Sequence, residues 1–344
     1  MVVFACTGCG AVLTARVSQV ALPDHAGQKY GHDLLPALLE PGTYAVDPGD
    51  GHPWQPWEVE AEGRGVFRQM YTLSGAPGRI GVAPGDVRRT MFIPERYGGC
   101  CCGWDGRYGP NLACAACECP VATRVDDCGF WQVVWLDPGA VRPVAVDGPA
   151  CRVVGWEALR EVHPGIPPIE QPGWWSLEWM AAIGVALAHL LAVSGGKRVI
   201  VPAGLVAEVF RRALDTLLPP GPPERRLALT GPGLSAEITD IAMVPRHPQT
   251  GEVWPCSGEA VVPLAADVWT YLAFNDDRQL AQAAARMPAD VRRDDSPPLL
   301  PNSLFRPDWK VFLRTLERLP LVGQPWLREI YDRVKDRRYT GSFL

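Results

Sequence analysis

Two short cysteine motifs constrain this chain more than any other feature: Cys6-Thr7-Gly8-Cys9 near the start and Cys114-Ala115-Ala116-Cys117 far downstream. Laid over each other at a constant offset of 108 positions, they share Ala5 with Ala113, both cysteines of each pair, Arg16 with Arg124 and Val17 with Val125. The chain therefore repeats a CxxC turn together with the strand leaving it. Each such turn presents two thiolates at a spacing that suits one tetrahedral ion, and two turns complete a four-cysteine zinc site. The pattern predicts one zinc held by Cys6, Cys9, Cys114 and Cys117. Four thiolates leave no open position, so that ion is structural rather than catalytic. Residues 18–111 must leave the metal and return to it, which makes zinc a staple across a very long loop.

The other cysteines pose a separate question. Cys100, Cys101, Cys102, Cys119 and Cys128 form a second concentration. Cys101 or Cys102 with Cys119 and Cys128 would supply ligands for another ion, and Cys102 could replace one of the four above. Buried thiols account for the same residues equally well, because adjacent cysteines are hard to aim at one ion. A reactive thiol among them would need a histidine or a helix N-terminus beside it. His25 and His32, with Asp33 adjacent, are candidate ligands or an acid/base pair. Gly27 and Gly31 oppose a helix there, and loop histidines commonly serve as hydrogen-bonded surface groups. Asp126-Asp127 beside Cys128 offers paired carboxylates, or ordinary turn chemistry.

A formal net charge of −5 gives the 344-residue chain no overall attraction to nucleic acid or anionic membrane. Met1-Val2-Val3-Phe4 has neither a basic n-region nor a long apolar run, so a cytoplasmic location is expected, where eleven cysteines stay reduced. The most apolar stretch, Trp174 to Val193, has nearly the length of a membrane span. Glu178 and His189 interrupt it, and a buried core helix is the better reading.

Pattern and punctuation predict an α+β protein: a β-rich, zinc-ribbon-containing domain over residues 1–150 and a mixed α/β domain over 151–344. In the first, strands are expected at Phe4 to Val20 around the knuckle, Thr43 to Val46, Gln69 to Leu73, Arg79 to Val82, Thr90 to Ile93 and Val121 to Val125. Leu34, Leu35, Leu38 and Leu39 suggest one or two helical turns. Phe130 to Leu136 and Val141 to Val146, around Asp137-Pro138-Gly139, suggest a hairpin. The second domain is expected to hold a helix near Trp156 to Arg160 and the central helix, then strand, amphipathic helix and strand over Arg198 to Thr230 as a βαβ crossover. A further strand within Ser235 to Val244, an apolar segment Val261 to Phe274 ending as helix, and two tail helices, Trp309 to Leu319 and Trp326 to Arg338, complete it.

Ser194-Gly195-Gly196-Lys197 follows a helix and precedes a strand, the reverse of a phosphate-binding loop, and the GxxxxGK[ST] spacing is absent. GxSxG, HExxH, GxGxxG and the kinase set are also missing. Trp54, Trp57, Trp174 and Trp175 lie in proline-flanked segments that could offer an aromatic surface to a ligand or partner.

The knuckles resemble those of a zinc ribbon over residues 4–17 and 112–125. The segments HAGQKYGHDLLPALLEPGTYAVDP and GPNLACAACECPVATRVDDC resemble uncharacterised cytosolic proteins of high-GC actinobacteria, a class that brings no activity with it. The expected function is a cytoplasmic zinc-binding protein that acts through contacts with a protein partner, without nucleic acid or membrane. The rivals are an enzyme using His25, His32 and Asp33 or a thiol of Cys100–Cys102, and a nucleic-acid-binding zinc ribbon.

Overall fold

The structure, a computed structural model, describes residues 1–47, 78–99, 101–148, 152–162, 165–170, 173–235, 239–256, 258–275, 301 and 303–340. The expected strand Gln69 to Leu73, Trp54, Trp57 and Cys100 lie outside these residues. Two compact units result: Met1–Val154 with Pro248–Gly251, and Gly155–His247 with Glu252–Leu344.

The first unit holds β1 (Val2–Cys6), β2 (Ser18–Gln19), β3 (Thr43–Val46), β4 (Ile80–Val82), β5 (Thr90–Phe92), β6 (Leu112–Cys114), β7 (Pro120–Val125), β8 (Val133–Leu136) and β9 (Val141–Ala145). Seven of them form one sheet in the order β2-β3-β4-β8-β7-β6-β5, antiparallel except for the β2–β3 pair. The long excursion between the two CxxC turns thus supplies β2 to β5 of the sheet that the second turn belongs to. Among the named strands β1 pairs with β9, from Val2 opposite Ala145 to Cys6 opposite Val141, and it also bridges the segment that leaves the first CxxC turn, with Ala5 opposite Val12 and Val2 opposite Val17. The core gathers Phe4, Leu13, Val17, Val82, Leu112, Val121, Val134 and Leu136, and it includes Cys6 and Cys114. Burying these side chains is what orders strands this short.

Two expectations for this unit are corrected. β8 and β9 do not form a hairpin: both edges of β8 are taken by β4 and β7, so the turn at Asp137 hands the chain to β1 instead. That turn is closed by Asp137, whose carbonyl accepts from Ala140 N at 3.0 Å and whose Oδ1 accepts from Gly139 N at 2.8 Å. Leu34 to Leu39 forms no helical turn. Pro36 lacks the N–H a helix would use and disfavours helical backbone at Leu35. Leu35, Leu38 and Leu39 are buried from an extended segment instead, with Gln132 N donating to Pro36 O and Leu38 N to Gln132 O, each at 2.9 Å.

The second unit contains α1 (Trp156–Val162), β10 (Ile169–Glu170), β11 (Trp174–Trp175), α2 (Leu177–Ser194), β12 (Arg198–Ile200), α3 (Leu205–Leu217), β13 (Glu224–Leu229), β14 (Ile241–Arg246), β15 (Ala260–Ala265), α4 (Ala266–Phe274), α5 (Trp309–Arg318) and α6 (Pro325–Thr340). β12 to β15 form a parallel sheet in sequence order, with α3 the crossover between β12 and β13. α2 packs on β15 and α5, and buries Trp179, Ile183, Leu187, Leu190 and Leu191. Its mean hydropathy is 1.7 with 67% of the helix buried, so apolarity all round goes with a core position. The helix starts three residues later than Trp174, because Trp174–Trp175 pairs with Ile169–Glu170. Gly195 ends it in the left-handed region at φ 62°, a backbone shape that costs glycine little.

Candidate metal centre

β1 and β6 each end in a cysteine, and the turns that follow share one construction. Gly10 N donates to Cys6 O at 2.9 Å, and Glu118 N to Cys114 O at 2.8 Å. Cys6 N donates to Ala11 O, and Cys114 N to Cys119 O, both at 2.9 Å. Gly10 and Glu118 both take left-handed backbone, at φ 76° and 61°. Ala5 opposes Val12 and Ala113 opposes Pro120. Even the outer anchor repeats: Thr7 N donates to Ala140 O at 3.0 Å and Ala115 N to Arg89 O at 2.9 Å. Apart from the outer acceptors Ala140 and Arg89, every pair is separated by the same 108 positions as the cysteines, so the repeat legible in the sequence is a repeat of backbone geometry.

The two turns face each other across the edge of the core. Cys6 Sγ lies 3.6 Å from Cys117 Sγ and Cys9 Sγ 3.6 Å from Cys114 Sγ, and all four sulfurs lie within 4.8 Å of one another. Zinc with four sulfurs at about 2.3 Å places them about 3.8 Å apart, so the set fits a tetrahedral ion. Cys6 and Cys114, the first cysteine of each turn, are buried; Cys9 is exposed and Cys117 half-buried. Each turn thus offers one ligand from the core and one nearer water.

Electrostatics favour a cation between them. Burial pushes the Cys6 thiol up, but the N–H groups of Cys9 and Gly8 and the neighbouring sulfurs bring it down to about 7. For Cys117, the N–H of Cys119 pulls downward, yet the sulfur of Cys9, burial and the sulfurs of Cys6 and Cys119 raise it overall. The Cys9 thiol is also raised on balance, with the N–H of Ala11 opposing burial and the sulfurs of Cys114 and Cys6. Four sulfurs this close cannot all ionise without a positive charge among them, and a bound dication removes that penalty.

The remaining candidates separate. Cys119 stays beside the first set: a Cβ on Gly8 would stand 3.4 Å from its sulfur and 3.7 Å from those of Cys6 and Cys117. It does not join Cys101, Cys102 and Cys128, and Cys102 replaces none of the four ligands. His25 packs its ring on Trp131 at 4.2 Å, where burial lowers its pKa to about 4. His32, exposed, has its Nδ1 3.7 Å from Cys128 Sγ, so the two histidines face different neighbours. Asp126 and Asp127 do turn chemistry. Asp126 pairs with Arg124 at 2.7 Å, and Asp127 Oδ1 accepts from the N–H groups of Cys102, Gly103 and Cys128 at 2.6, 2.9 and 2.9 Å. The meeting of His32 with Cys101 and Cys128 was hidden in the sequence, since these residues share no local spacing.

Ser194 to Lys197 is a helix terminus, with Ser194 Oγ donating to Leu191 O at 2.7 Å and accepting from Gly196 N at 3.2 Å. Trp174 is exposed, whereas Trp175 donates its Nε1–H to Ser303 O at 2.8 Å. No protein-family model, curated protein or solved structure matches the chain.

Proposed function

We propose that this protein binds zinc through Cys6, Cys9, Cys114 and Cys117 in a zinc-ribbon-like structural site, and acts through contacts with a protein partner. The observation carrying the metal is the matched pair of turns that brings four sulfurs within 4.8 Å of one another. Zinc is favoured over other ions by an all-thiolate set at tetrahedral spacing. Four protein ligands leave no site for substrate, which moves the activity to the surface. β5, at one edge of the large sheet, exposes Met91 and Phe92 there. A reducing compartment such as the cytoplasm belongs to the same reading, because the ligands must remain thiolates. The net charge of −5 weighs against nucleic acid as the partner.

Elemental analysis of untagged protein purified without added zinc tests the metal. Zinc that disappears from this site in Cys114→Ser supports the assignment, and a wild-type chain free of zinc overturns it. Dependence of partner binding on Phe92 tests the second part, with Phe92→Ala expected to weaken the complex while zinc content is unchanged.

A further inference from the structure

Outside the four-cysteine set, three segments of the first unit bring soft donors to one point. Cys128 Sγ is the hub of two overlapping triads, His32–Cys101–Cys128 and Cys102–Asp127–Cys128, within each of which the donor atoms lie within 4.8 Å of one another, and it is 3.7 Å from His32 Nδ1. Cys101 Sγ and Cys102 Sγ are 3.3 Å apart. Cys128 is buried, whereas His32, Cys101 and Cys102 are exposed. Hydrophobic packing explains a buried thiol but gives no reason to crowd three water-accessible donors around it.

The backbone around the donors is shaped for this convergence. A Cβ on Gly99 would overlap the Gly103 carbonyl, and one on Gly103 would come within 2.8 Å of Asp126 O, so the cysteine turn closes and seats only with glycine at both places. Asp127, 2% exposed, accepts with a single oxygen from Cys102 N, Gly103 N and Cys128 N, and so ties the vicinal cysteines to the hub. Trp104 N donates to Oδ1 of Asp126, the residue before Asp127, at 2.9 Å. On the other side, Tyr30 N donates to Gly129 O and Gly129 N to Asp33 O, each at 2.8 Å, which brackets His32 against the residue after the hub. Each segment carrying a donor is thus fastened, within two residues of it, by hydrogen bonds from main-chain N–H groups to the Asp127 carboxylate or to a main-chain carbonyl.

We infer that His32, Cys101, Cys102 and Cys128 form a second zinc site of the Cys₃His type, separate from the four-cysteine centre. Three sulfurs and one imidazole nitrogen are a donor set zinc takes in closed tetrahedral sites. Asp127 is its positioning residue, acting on the backbone of two ligands. The second ion pins the loop around residues 98–106 to the β7–β8 connection and to the segment after Tyr30, in a region where regular strands are missing. It gives the chain two zincs of different chemistry, one with four sulfurs and one with three sulfurs and nitrogen, the latter the more open to water.

The test uses the full chain, with metal content measured by elemental analysis and the ligand type read from the visible spectrum after cobalt(II) exchange. Wild type is expected to hold two ions, with His32→Ala and Cys102→Ser each dropping to one and leaving a pure four-sulfur spectrum. Both residues are exposed, so these variants are expected to keep the wild-type far-ultraviolet circular dichroism. The four-sulfur centre is read on its own from the cobalt spectrum that His32→Ala retains, so a failure of the first centre is seen separately from a failure of the second. The inference is overturned if wild type binds one ion and His32→Ala still binds one. It is also overturned if mass analysis after thiol alkylation of reduced, metal-free protein shows an added label at Cys101 and Cys102 while zinc-loaded protein labels them equally fast.

Discussion

The first unit is built of strands two to six residues long on long connections, whereas the second is organised around an 18-residue helix laid on a parallel sheet. In the second, α2, α3 and α5 bury contiguous apolar faces, and the sheet order follows the chain. In the first, the strands leading into the two CxxC turns lie more than 100 residues apart in the chain, and seven of the described cysteines and one histidine sit in two donor clusters. Short strands with distant partners pay a large closure entropy for little burial each, and cross-links at the points where distant segments meet offset it. Long helices with continuous apolar faces need no such help.

The comparison breaks most sharply at Cys114. Cys114→Ser is expected to release the four-sulfur ion and unfold the first unit cooperatively, since structural zinc contributes about 10–16 kcal/mol and a domain's whole stability is about 5–15 kcal/mol. The second unit's helical signal should survive in circular dichroism, and loss of both units together would deny that they are stabilised in different ways. The converse change is Leu190→Ala in α2, a fully buried side chain. It should cost about 2–5 kcal/mol in denaturant unfolding of the second unit and leave zinc content unchanged.

A smaller effect resides in His25. Its pKa falls to about 4 on burial against Trp131, so it stays neutral in the folded chain while the unfolded chain takes up a proton at its ordinary value of about 6.5. Stability of the first unit should therefore be independent of this group above that value and decline as pH drops from about 6.5 towards 4. The decline is on the order of 2 kcal/mol after allowance for partial exposure. His25→Gln should remove that component when the two proteins' unfolding midpoints are compared across the same pH range. The smallest test compares the two CxxC turns themselves. Gly10→Ala should lose about 1 kcal/mol because left-handed backbone is strained for alanine, while Glu118→Gly should change stability by only tenths of a kcal/mol. Thermal midpoints of the two variants measure this asymmetry.

Much of the second unit could be read from its residues. The spacing of Val206, Val209, Phe210, Ala213, Leu214 and Leu217 gives the helix and its buried side directly, and Pro219 to Pro223 ends it. The apolar run of α2 had to be central because no face of it is polar. The four-cysteine centre was legible for a related reason: a CxxC turn is a local device, and repeating it at a fixed offset with the same flanking Ala, Arg and Val marks two copies of one geometry.

What only the tertiary structure decided involves pairings between segments with no shared local signal. Val133–Leu136 and Val141–Ala145 have the composition of a hairpin, and nothing in them says that β4 and β7 occupy both edges of the first of these strands. Cys128, Cys101 and His32 come from three separate turns, and their convergence depends on Asp127 gathering N–H groups and on glycines letting backbones approach. Local sequence fixes the φ/ψ preferences and apolar faces of an element, so helices and knuckles are determined within a few residues. Which distant elements meet depends on edges already filled and volumes already occupied, and these exist only once the whole unit has folded.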